Sequence, residues 1–314
     1  MSFLEVRHLK KYFDVPKGTL HAVDDVSFSM EKGTTIGIVG ESGCGKSTLG
    51  KTIMKLTEPT EGEIIFNGTD IAPLTEKQFE KYRSSIQMIF QDPYASLDGR
   101  MDCASLIAEP LVISKRGMSR EEIEKEVDRL MDMVGLSKRV RHSYPHELDG
   151  GRRQRIGIAR ALSLKPEFIV CDEPVSALDV SIQAQVLNLL QDLQEEMNLT
   201  YMFITHDMSV VKHISDEIAV MYLGQIIEKC SSDELFRETL HPYSRALLSA
   251  IPVPSIHNRK ERIILKGELT SPINPKKCCR FAPRCPMAGK ECFEAEPELK
   301  EVRKGHFCAC LKVK

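Results

Sequence analysis

The stretch TTIGIVGESGCGKS, residues 34–47, joins an apolar run to a glycine-rich segment. Residues 34–39 are predicted to form a buried parallel strand, and Gly40 to Ser47 match the pattern GxxxxGK[ST] at the point where such a strand passes into a helix. Glycines let the backbone wrap around a phosphate chain with its N–H groups pointing inward, and the start of the following helix adds partial positive charge. Lys46 adds a full positive charge, and the Ser47 hydroxyl is suited to binding Mg²⁺. The segment therefore predicts a phosphate site, because the flanking strand and helix disfavour a chance glycine-rich turn.

Two acidic residues follow another strongly apolar run. Residues 168–171 are predicted to form a buried strand that leads into Asp172 and Glu173. Ligands of parallel sheets bind at the carboxyl ends of the strands, so we expect this pair to face the same phosphates. Asp172 is predicted to hold the Mg²⁺ shell and Glu173 to polarise the water that attacks the terminal phosphorus. Taken alone, the pair has a simpler interpretation as two acids that cap the next helix, but the phosphate loop upstream favours the first.

Two further polar residues follow predicted strands. His206 comes directly after residues 201–205, where a sensor of the terminal phosphate is expected, although a lone histidine there is more often a capping or core residue. Gln91 ends the apolar stretch 86–90 and is predicted to reach the metal or the attacking water. A glutamine before a turn carries little weight on its own.

The order of helices and strands predicts an α/β protein. Ser119 and Glu122 form a capping box before a helix whose apolar face continues to Gly135. A second amphipathic helix, at residues 182–193, lies between the strands predicted at 168–171 and 201–205. Strand, helix and strand at this spacing are typical of a parallel sheet with helices on both faces.

Composition narrows the class of protein. The chain has 314 residues and a formal net charge of −2, so its total charge does not indicate a surface for nucleic acid. No run reaches the roughly 18 consecutive apolar residues of a membrane span, and the first residues lack the apolar core of a secretory signal. We therefore expect a cytoplasmic protein that reaches a membrane only by docking on another polypeptide. Six of the ten cysteines follow Lys277, and such clustering indicates metal binding more than disulfides.

The segment LDGGRRQR, residues 148–155, lies between the phosphate loop and the paired carboxylates. It resembles the signature of ABC ATPases, usually LSGGQ followed by a basic helix. With Gln91, the carboxylate pair, SALD at residues 176–179 and His206, it completes the ABC motif set over roughly residues 1–230. The resemblance implies an α/β P-loop ABC ATPase domain. Its parts are a mixed sheet core with helices, an antiparallel β subdomain, and a helical subdomain at about residues 92–163.

In this family two ATPase domains close head to tail on two ATP molecules. The resemblance implies that one ATP is served by Gln91, Asp172, Glu173, His206 and a phosphate loop comprising Gly40, Glu41, Ser42, Gly43, Cys44, Gly45, Lys46, Ser47 and Thr48. The implied Mg²⁺ ligands are Ser47, Gln91 and Asp172. The implied contacts to the partner's ATP and to the seam between domains are Asp149, Gly150, Gly151 and Asp179. Tyr12 or Phe13 corresponds to the aromatic residue that stacks on adenine.

The signature departs from the family pattern at two positions, with Asp149 for serine and Arg152 for glutamine. Aspartate is as good a helix cap as serine. A carboxylate near the terminal phosphate costs roughly 3 to 4 kcal/mol at an effective dielectric of about 20 unless it is offset, and Arg152 is placed to offset it. These substitutions lead to the hypothesis that the ATP site using this signature is the weaker of the two. They also hint that the partner ATPase is a related, non-identical chain.

A second resemblance covers the end of the chain. The last strand predicted in the ABC domain lies at residues 224–228, and a linker with prolines at 242, 252, 254, 272 and 275 follows it. The predicted domain boundary separates residues 1–250 from a Cys-rich C-terminal region at 251–314. The segments HPYSRALL at 241–248 and CRFAPRCP at 279–286 resemble the ATPases of oligopeptide, dipeptide and nickel importers.

In that subfamily the tail cysteines are associated with an iron–sulfur cluster. By position Cys279, Cys285, Cys292 and Cys310 match the family's four, while Cys278 and Cys308 are extra. Four thiolates suit a 4Fe–4S cluster or tetrahedral Zn²⁺, and spacing does not separate the two. His306 is an alternative zinc ligand, and a reduced tail without metal is the remaining interpretation.

The resemblance implies an ATP-hydrolysing importer subunit for oligopeptides or dipeptides, at the cytoplasmic face of the cell membrane. The implied partners are a second ABC ATPase subunit, two transmembrane permease subunits and an extracytoplasmic solute-binding protein. One alternative is the same role for nickel or another small solute. A soluble ABC ATPase acting on nucleic acid or ribosomes is disfavoured, because the chain shows one cassette and no sustained heptads. Intact Glu173 and His206 argue against a regulatory subunit that binds ATP without splitting it.

Overall fold

The computed structural model describes residues 2–92, 94–114, 117–251, 262–267 and 270–313, so Pro252 and Pro254 of the predicted linker lie outside the described residues. The chain divides into two compact units, residues 1–73 with 203–314, and residues 74–202. Residues 270–313, called the tail below, belong to the first unit. The predicted domain boundary at residue 250 stays a prediction.

The first unit starts with an antiparallel sheet and the strand that precedes the phosphate loop. Its elements up to residue 73 are β1 (Leu4–Val15), β2 (Gly18–Met30), β3 (Thr35–Val39), α1 (Lys46–Ile53), β4 (Glu61–Phe66) and β5 (Thr69–Asp70). The antiparallel sheet has the order β2-β1-β4-β5, which confirms the implied antiparallel β part of the fold. All five residues of β3 are buried, as a central parallel strand requires.

The second unit carries most of the helices. Its elements are α2 (Glu76–Arg83), β6 (Ile86–Ile89), α3 (Cys103–Ile113), α4 (Arg120–Met133), α5 (Gly150–Leu162), β7 (Phe168–Asp172), α6 (Val180–Met197) and the first residues of β8 (Thr200–Thr205). The capping box predicted at the start of α4 is present, with Ser119 accepting the N–H of Glu122 at 3.3 Å. Strands β6 and β7 are parallel neighbours, so their carboxyl ends lie side by side.

The rest of the chain returns to the first unit. Its elements are α7 (Met208–Ile214), β9 (Glu217–Tyr222), β10 (Gln225–Ser231), α8 (Ser232–Arg237), α9 (Pro242–Ser249), β11 (Lys300–Arg303) and β12 (His306–Cys308). Within this unit the second sheet has the order β11-β12-β10-β9-β3-β8. It is a mixed sheet, because β3 and β9 are parallel whereas β9, β10, β12 and β11 pair antiparallel. The tail therefore contributes the last two strands at one end of the same sheet that positions the phosphate loop, with β11 at its edge.

Candidate functional site

The phosphate loop has the backbone that its glycines predict. Gly40, Gly43 and Gly45 have φ values of 156°, 80° and 109°, which side-chain-bearing residues rarely adopt. A Cβ at Gly45 would lie 2.0 Å from the carbonyl oxygen of Ala22, so no larger residue fits there without a shift. Helix α1 begins at Lys46, directly after the loop. The loop therefore presents backbone N–H groups and a helix N-terminus, as phosphate binding requires.

Lys46 is held at the start of the loop. Its side chain is buried, and its ammonium group donates to the carbonyl oxygens of Gly40 at 2.8 Å and Glu41 at 3.0 Å. The two carbonyl oxygens accept hydrogen bonds from the same ammonium N–H groups that would donate to phosphate oxygens. The side chain of Cys44, a residue of the loop, is buried, and burial raises the pKa of its thiol. The Lys46 ammonium group is thus held against the loop backbone, and its role as a phosphate ligand stays a prediction.

The two candidate adenine-stacking residues lie on β1 and differ in their surroundings. The Tyr12 ring stacks on His21 with 3.9 Å between centroids, and its hydroxyl donates to Asp24. Phe13 is more open, with 37% exposure, and the Lys11 ammonium lies 4.7 Å from its ring centroid. Phe13 therefore has the more accessible ring, whereas Tyr12 is already engaged by its own strand partners.

Gln91 and Glu173 meet in the second unit. The Gln91 amide donates from Nε2 to Glu173 Oε2 at 3.0 Å, because each follows one of the parallel neighbours β6 and β7. Glu173 has a φ of 46°, an unusual conformation for a residue with a side chain and one that is found preferentially at functional sites. Asp172, at the last position of β7, is 3% exposed. The structure thus brings together two of the three residues predicted to be catalytic.

His206 lies in the first unit, between β8 and α7, and is exposed. The N-cap of α7 is its neighbour Asp207, whose carboxylate accepts the N–H of Ser209 at 2.7 Å. The structure therefore does not support the capping or core interpretation of position 206. The role of His206 as a sensor of the terminal phosphate stays a prediction.

The signature segment starts α5. Asp149 is its N-cap and accepts the N–H of Arg152 at 2.8 Å, as expected for aspartate in place of serine. The Arg152 Nε lies 3.5 Å from Asp149 Oδ2, and the two side chains are 54% and 61% exposed. A Cβ at Gly151 would lie 2.7 Å from Ile182 Cγ2, which explains a glycine at this position. Asp179, the N-cap residue of α6, is exposed.

The tail does not assemble the predicted metal ligands at bonding distance. Among the described residues, no three histidine, cysteine, aspartate or glutamate side chains are placed to share a metal ion. The role of His306 as an alternative zinc ligand stays a prediction: its Nε2 lies 2.9 Å from Glu228 Oε1, both side chains are buried, and its Nδ1 has no hydrogen-bond partner among the described residues. The predicted 4Fe–4S or zinc site is therefore not supported by the geometry as it stands.

The four predicted cysteines are nevertheless neighbours. Cys279 and Cys285 each interact electrostatically with both Cys292 and Cys310, and burial raises the pKa of Cys279 to about 11. The N–H of Met287 donates to Cys285 Sγ at 3.4 Å, a type of contact that stabilises a thiolate bound to metal. All ten cysteines of the chain are free. The four thiols are chemically suited to bind a metal as thiolates, but in the structure they do not lie at the distances of a shared metal ion.

Sequence reasoning missed the contacts that the phosphate loop makes with α9 and with the tail. Arg284 forms a bidentate ion pair with Glu41, and the Tyr243 hydroxyl accepts the N–H of Glu41 at 2.8 Å. Both residues lie in segments that were noted only for their family resemblance. No local pattern links positions separated by 243 residues in the chain.

No helix in the described part of the chain is long and apolar enough to cross a membrane.

Comparison with known proteins gives matches along the whole chain. Residues 23–176 match the family "ABC transporter", and residues 227–292 match "Oligopeptide/dipeptide transporter, C-terminal region". The oligopeptide transport ATP-binding protein AppF of Bacillus subtilis (strain 168) is 54% identical, over 98% of this chain and 97% of AppF. The oligopeptide transport ATP-binding protein OppF of Haemophilus influenzae is 50% identical, over 99% of this chain and 97% of OppF.

Solved structures show the same fold. The ATP-binding cassette MJ0796, a dimer in a post-hydrolysis state bound to ADP and Pi, superposes with a TM-score of 0.68 and 29% identity, over 73% of this chain and 98% of that one. The protein cbiO1 of Clostridium perfringens, part of the ABC transporter complex cbiONQ, gives a TM-score of 0.67 and 29% identity, over 76% of this chain and 91% of that one.

Proposed function

The chain belongs to the ATP-binding proteins of ABC transporters, and from this membership we propose that it powers the import of oligopeptides or dipeptides across a membrane. It is an ABC ATPase, and ATP hydrolysis is its reaction. The observation that carries the peptide proposal is likeness over the full chain to oligopeptide transport ATP-binding proteins, including the C-terminal match at residues 227–292. The same role for nickel or another small solute is the alternative.

The proposed catalytic group is Glu173, which orients and polarises the attacking water. The hydrogen bond that the Gln91 amide N–H donates to the Glu173 carboxylate at 3.0 Å supports this role, because it holds the carboxylate in place. It also leaves the amide oxygen of Gln91 to ligate a cation. Ser47, Gln91 and Asp172 offer oxygen donors, the ligands that Mg²⁺ prefers. Bound with ATP, Mg²⁺ would neutralise charge on the phosphates.

The remaining site residues have roles that follow from family membership. We propose that Lys46 and the loop residues Gly40 to Thr48 bind the phosphates of one ATP, that His206 senses its terminal phosphate, and that Phe13 or Tyr12 stacks on its adenine. Asp149, Gly150 and Gly151 would contact the ATP of a partner ATPase, with Asp179 at the seam. The exposure of Asp149 supports this assignment, because a residue that serves a partner's ligand lies at the surface.

The proposed assembly contains a second, related ABC ATPase, two transmembrane permease subunits and an extracytoplasmic solute-binding protein. In it the chain is a peripheral subunit at the cytoplasmic face of the cell membrane. The described residues contain no membrane-spanning helix, so attachment would depend on the permease subunits.

The transport proposal is tested with the assembled complex in liposomes. We expect labelled oligopeptide or dipeptide, presented with the solute-binding protein that copurifies, to stimulate ATP turnover and to accumulate inside. Stimulation by Ni²⁺ and not by peptide would favour the alternative cargo. Copurification with ribosomes or nucleic acid, without permease subunits, would refute the transport role.

For the tail we propose a 4Fe–4S cluster, or Zn²⁺ as the alternative, held by Cys279, Cys285, Cys292 and Cys310. Their mutual proximity and the N–H donated to Cys285 support this ligand set. Metal content and the visible absorption spectrum of anaerobically purified protein test it. Cys285→Ser should lose the metal while Cys278→Ser, an extra cysteine in the same tail, should keep it. The proposal would be refuted if the wild-type protein contained neither iron nor zinc and these four cysteines titrated as free thiols.

A further inference from the structure

The tail reaches the phosphate loop through one ion pair. Arg284 donates from Nη1 to Glu41 Oε2 at 2.6 Å and from Nη2 to Glu41 Oε1 at 3.0 Å. The two side chains are 9% and 31% exposed, so this bidentate pair is largely shielded from water. Bidentate arginine–carboxylate pairs combine charge with fixed geometry, which makes them among the stronger polar contacts in proteins.

The backbone of Glu41 is held as well as its side chain. Its N–H donates to the Tyr243 hydroxyl at 2.8 Å, and its carbonyl oxygen accepts from Lys46 at 3.0 Å. Tyr243 is fully buried and packs edge-on against Tyr222 and Phe281, with centroid distances of 4.7 and 5.5 Å. The second residue of the phosphate loop is therefore fixed on three sides, and two of the three contacts come from residues that follow the ABC match.

The tail also contacts the hairpin that carries the candidate adenine-stacking residues. Asn274 and Thr19 exchange two hydrogen bonds of 2.9 Å, one of which is accepted by the Asn274 side chain. Arg280 forms an ion pair with Asp24, the same carboxylate that accepts the Tyr12 hydroxyl. The tail thus has contacts with both parts of the first unit to which nucleotide binding is assigned.

The charge of Glu41 gives the ion pair with Arg284 a specific consequence. A carboxylate in a loop that wraps phosphates repels them, and the repulsion is largest where water is excluded. Arg284 neutralises this carboxylate and holds it in one orientation. Removal of the arginine would leave an unpaired negative charge beside the ligand and would free the loop backbone.

We propose that Arg284 is a positioning residue for nucleotide binding, which acts through Glu41 and makes the tail a structural part of the phosphate site. The inference rests on the ATP site proposed above and adds to it a second segment of chain, distant in sequence. Its consequence is that changes in the tail alter the affinity for MgATP without altering any residue that touches the phosphates.

Titration of the full-length protein with a fluorescent ATP analogue and Mg²⁺ tests the proposal. Arg284→Gln should raise the dissociation constant about fivefold or more in the wild-type protein, and the same substitution is then measured in protein that already carries Glu41→Gln. In the double variant the arginine substitution should have little further effect, because the charge that it neutralised is gone. Arg284→Lys, which keeps the charge but not the bidentate geometry, should fall between wild type and Arg284→Gln.

Arg303→Gln is the matched control, since Arg303 pairs with Glu238 in the same unit and both side chains are about half exposed. Equal affinity of Arg284→Gln and Arg303→Gln would overturn the inference, as would an equal loss from Arg284→Gln with and without Glu41→Gln. Should Arg284→Gln fail to fold, Arg284→Lys and the double variant carry the same comparison. Lys46→Ala distinguishes a failure of this inference from a failure of the proposed ATP site. MgATP binding that survives Lys46→Ala would refute the proposed site itself.

Discussion

Replacement of Gly45 by alanine should disable the phosphate loop, whereas the same change at Gly43 should only weaken it. Both glycines have positive φ values, 109° and 80°, and an L-residue in this region costs about 1–2 kcal/mol. The positions differ in space: a Cβ at Gly45 would lie 2.0 Å from the carbonyl oxygen of Ala22, whereas one at Gly43 has no atom within 4 Å. Ordinary contacts exceed about 3 Å, so Gly45→Ala requires a shift of about 1 Å in the loop or in β2.

The two variants are compared by ATP turnover and by thermal unfolding with and without MgATP. Misplacement of reacting groups by about 1 Å costs on the order of 100-fold in rate, so Gly45→Ala should lose about that much turnover. MgATP should no longer raise its unfolding temperature. Gly43→Ala should lose about 1–2 kcal/mol of stability and keep measurable turnover and nucleotide protection. Equal turnover in the two variants would refute the reasoning from loop geometry.

Two further predictions concern charge. Asp149→Ser keeps the cap of α5 and removes the carboxylate, so in the assembled complex it should raise ATP turnover by at least about fivefold. That factor is equivalent to about 1 kcal/mol, the repulsion of two charges about 4 Å apart in water and the lower limit of the cost given above. The double change with Arg152→Gln should raise turnover less, and unchanged or lower turnover in both would count against a weakened site. Burial lowers the pKa of His241 to about 4 in the folded protein, from about 6.5 in the unfolded chain. As the pH drops from about 6.5 towards 4, this histidine is protonated in the unfolded chain but not yet in the folded protein, so the free energy of unfolding falls. His241→Asn keeps an acceptor for the N–H of Tyr243 and should remove about 2 kcal/mol of the loss in unfolding free energy between pH 7 and 5; an identical pH dependence in both proteins would contradict this.

The elements that were predicted correctly carry their information locally. The buried strand β3, the loop from Gly40 and the capping box at Ser119 each occupy a few consecutive residues, and each has a short-range physical cause. Strand β9 was not predicted, although five of its six residues are buried, because no turn signal separates it from the preceding helix. Alternation of apolar and polar residues predicts a strand only at residues 3–6, whereas β1 runs to Val15. Its register with β2 shifts three times, which removes the simple alternation beyond Val6.

The candidate site shows the same division between local and long-range information. The pairing of Gln91 with Glu173 follows from two parallel strands whose ends are adjacent, so it was within reach of sequence reasoning. The ion pair of Glu41 with Arg284 joins positions 243 residues apart and has no local signature. The contact of His306 with the buried carboxylate of Glu228 was not predicted either, because it depends on the pairing of β10 with β12.

The cysteines show what spacing alone does not determine. The positions of Cys279, Cys285, Cys292 and Cys310 match a ligand set, and the structure places the four thiols in one neighbourhood. Among the described residues, the four thiols do not lie at the distances of a shared metal ion.

The central claim is that one nucleotide is bound through Lys46 and hydrolysed by water that Glu173 orients. It is tested most directly by ATP turnover and MgATP affinity of the assembled complex carrying Glu173→Gln or Lys46→Ala. The account predicts that Glu173→Gln loses at least about 100-fold in turnover but still binds MgATP, whereas Lys46→Ala loses both. Turnover at the wild-type rate in either variant would contradict it.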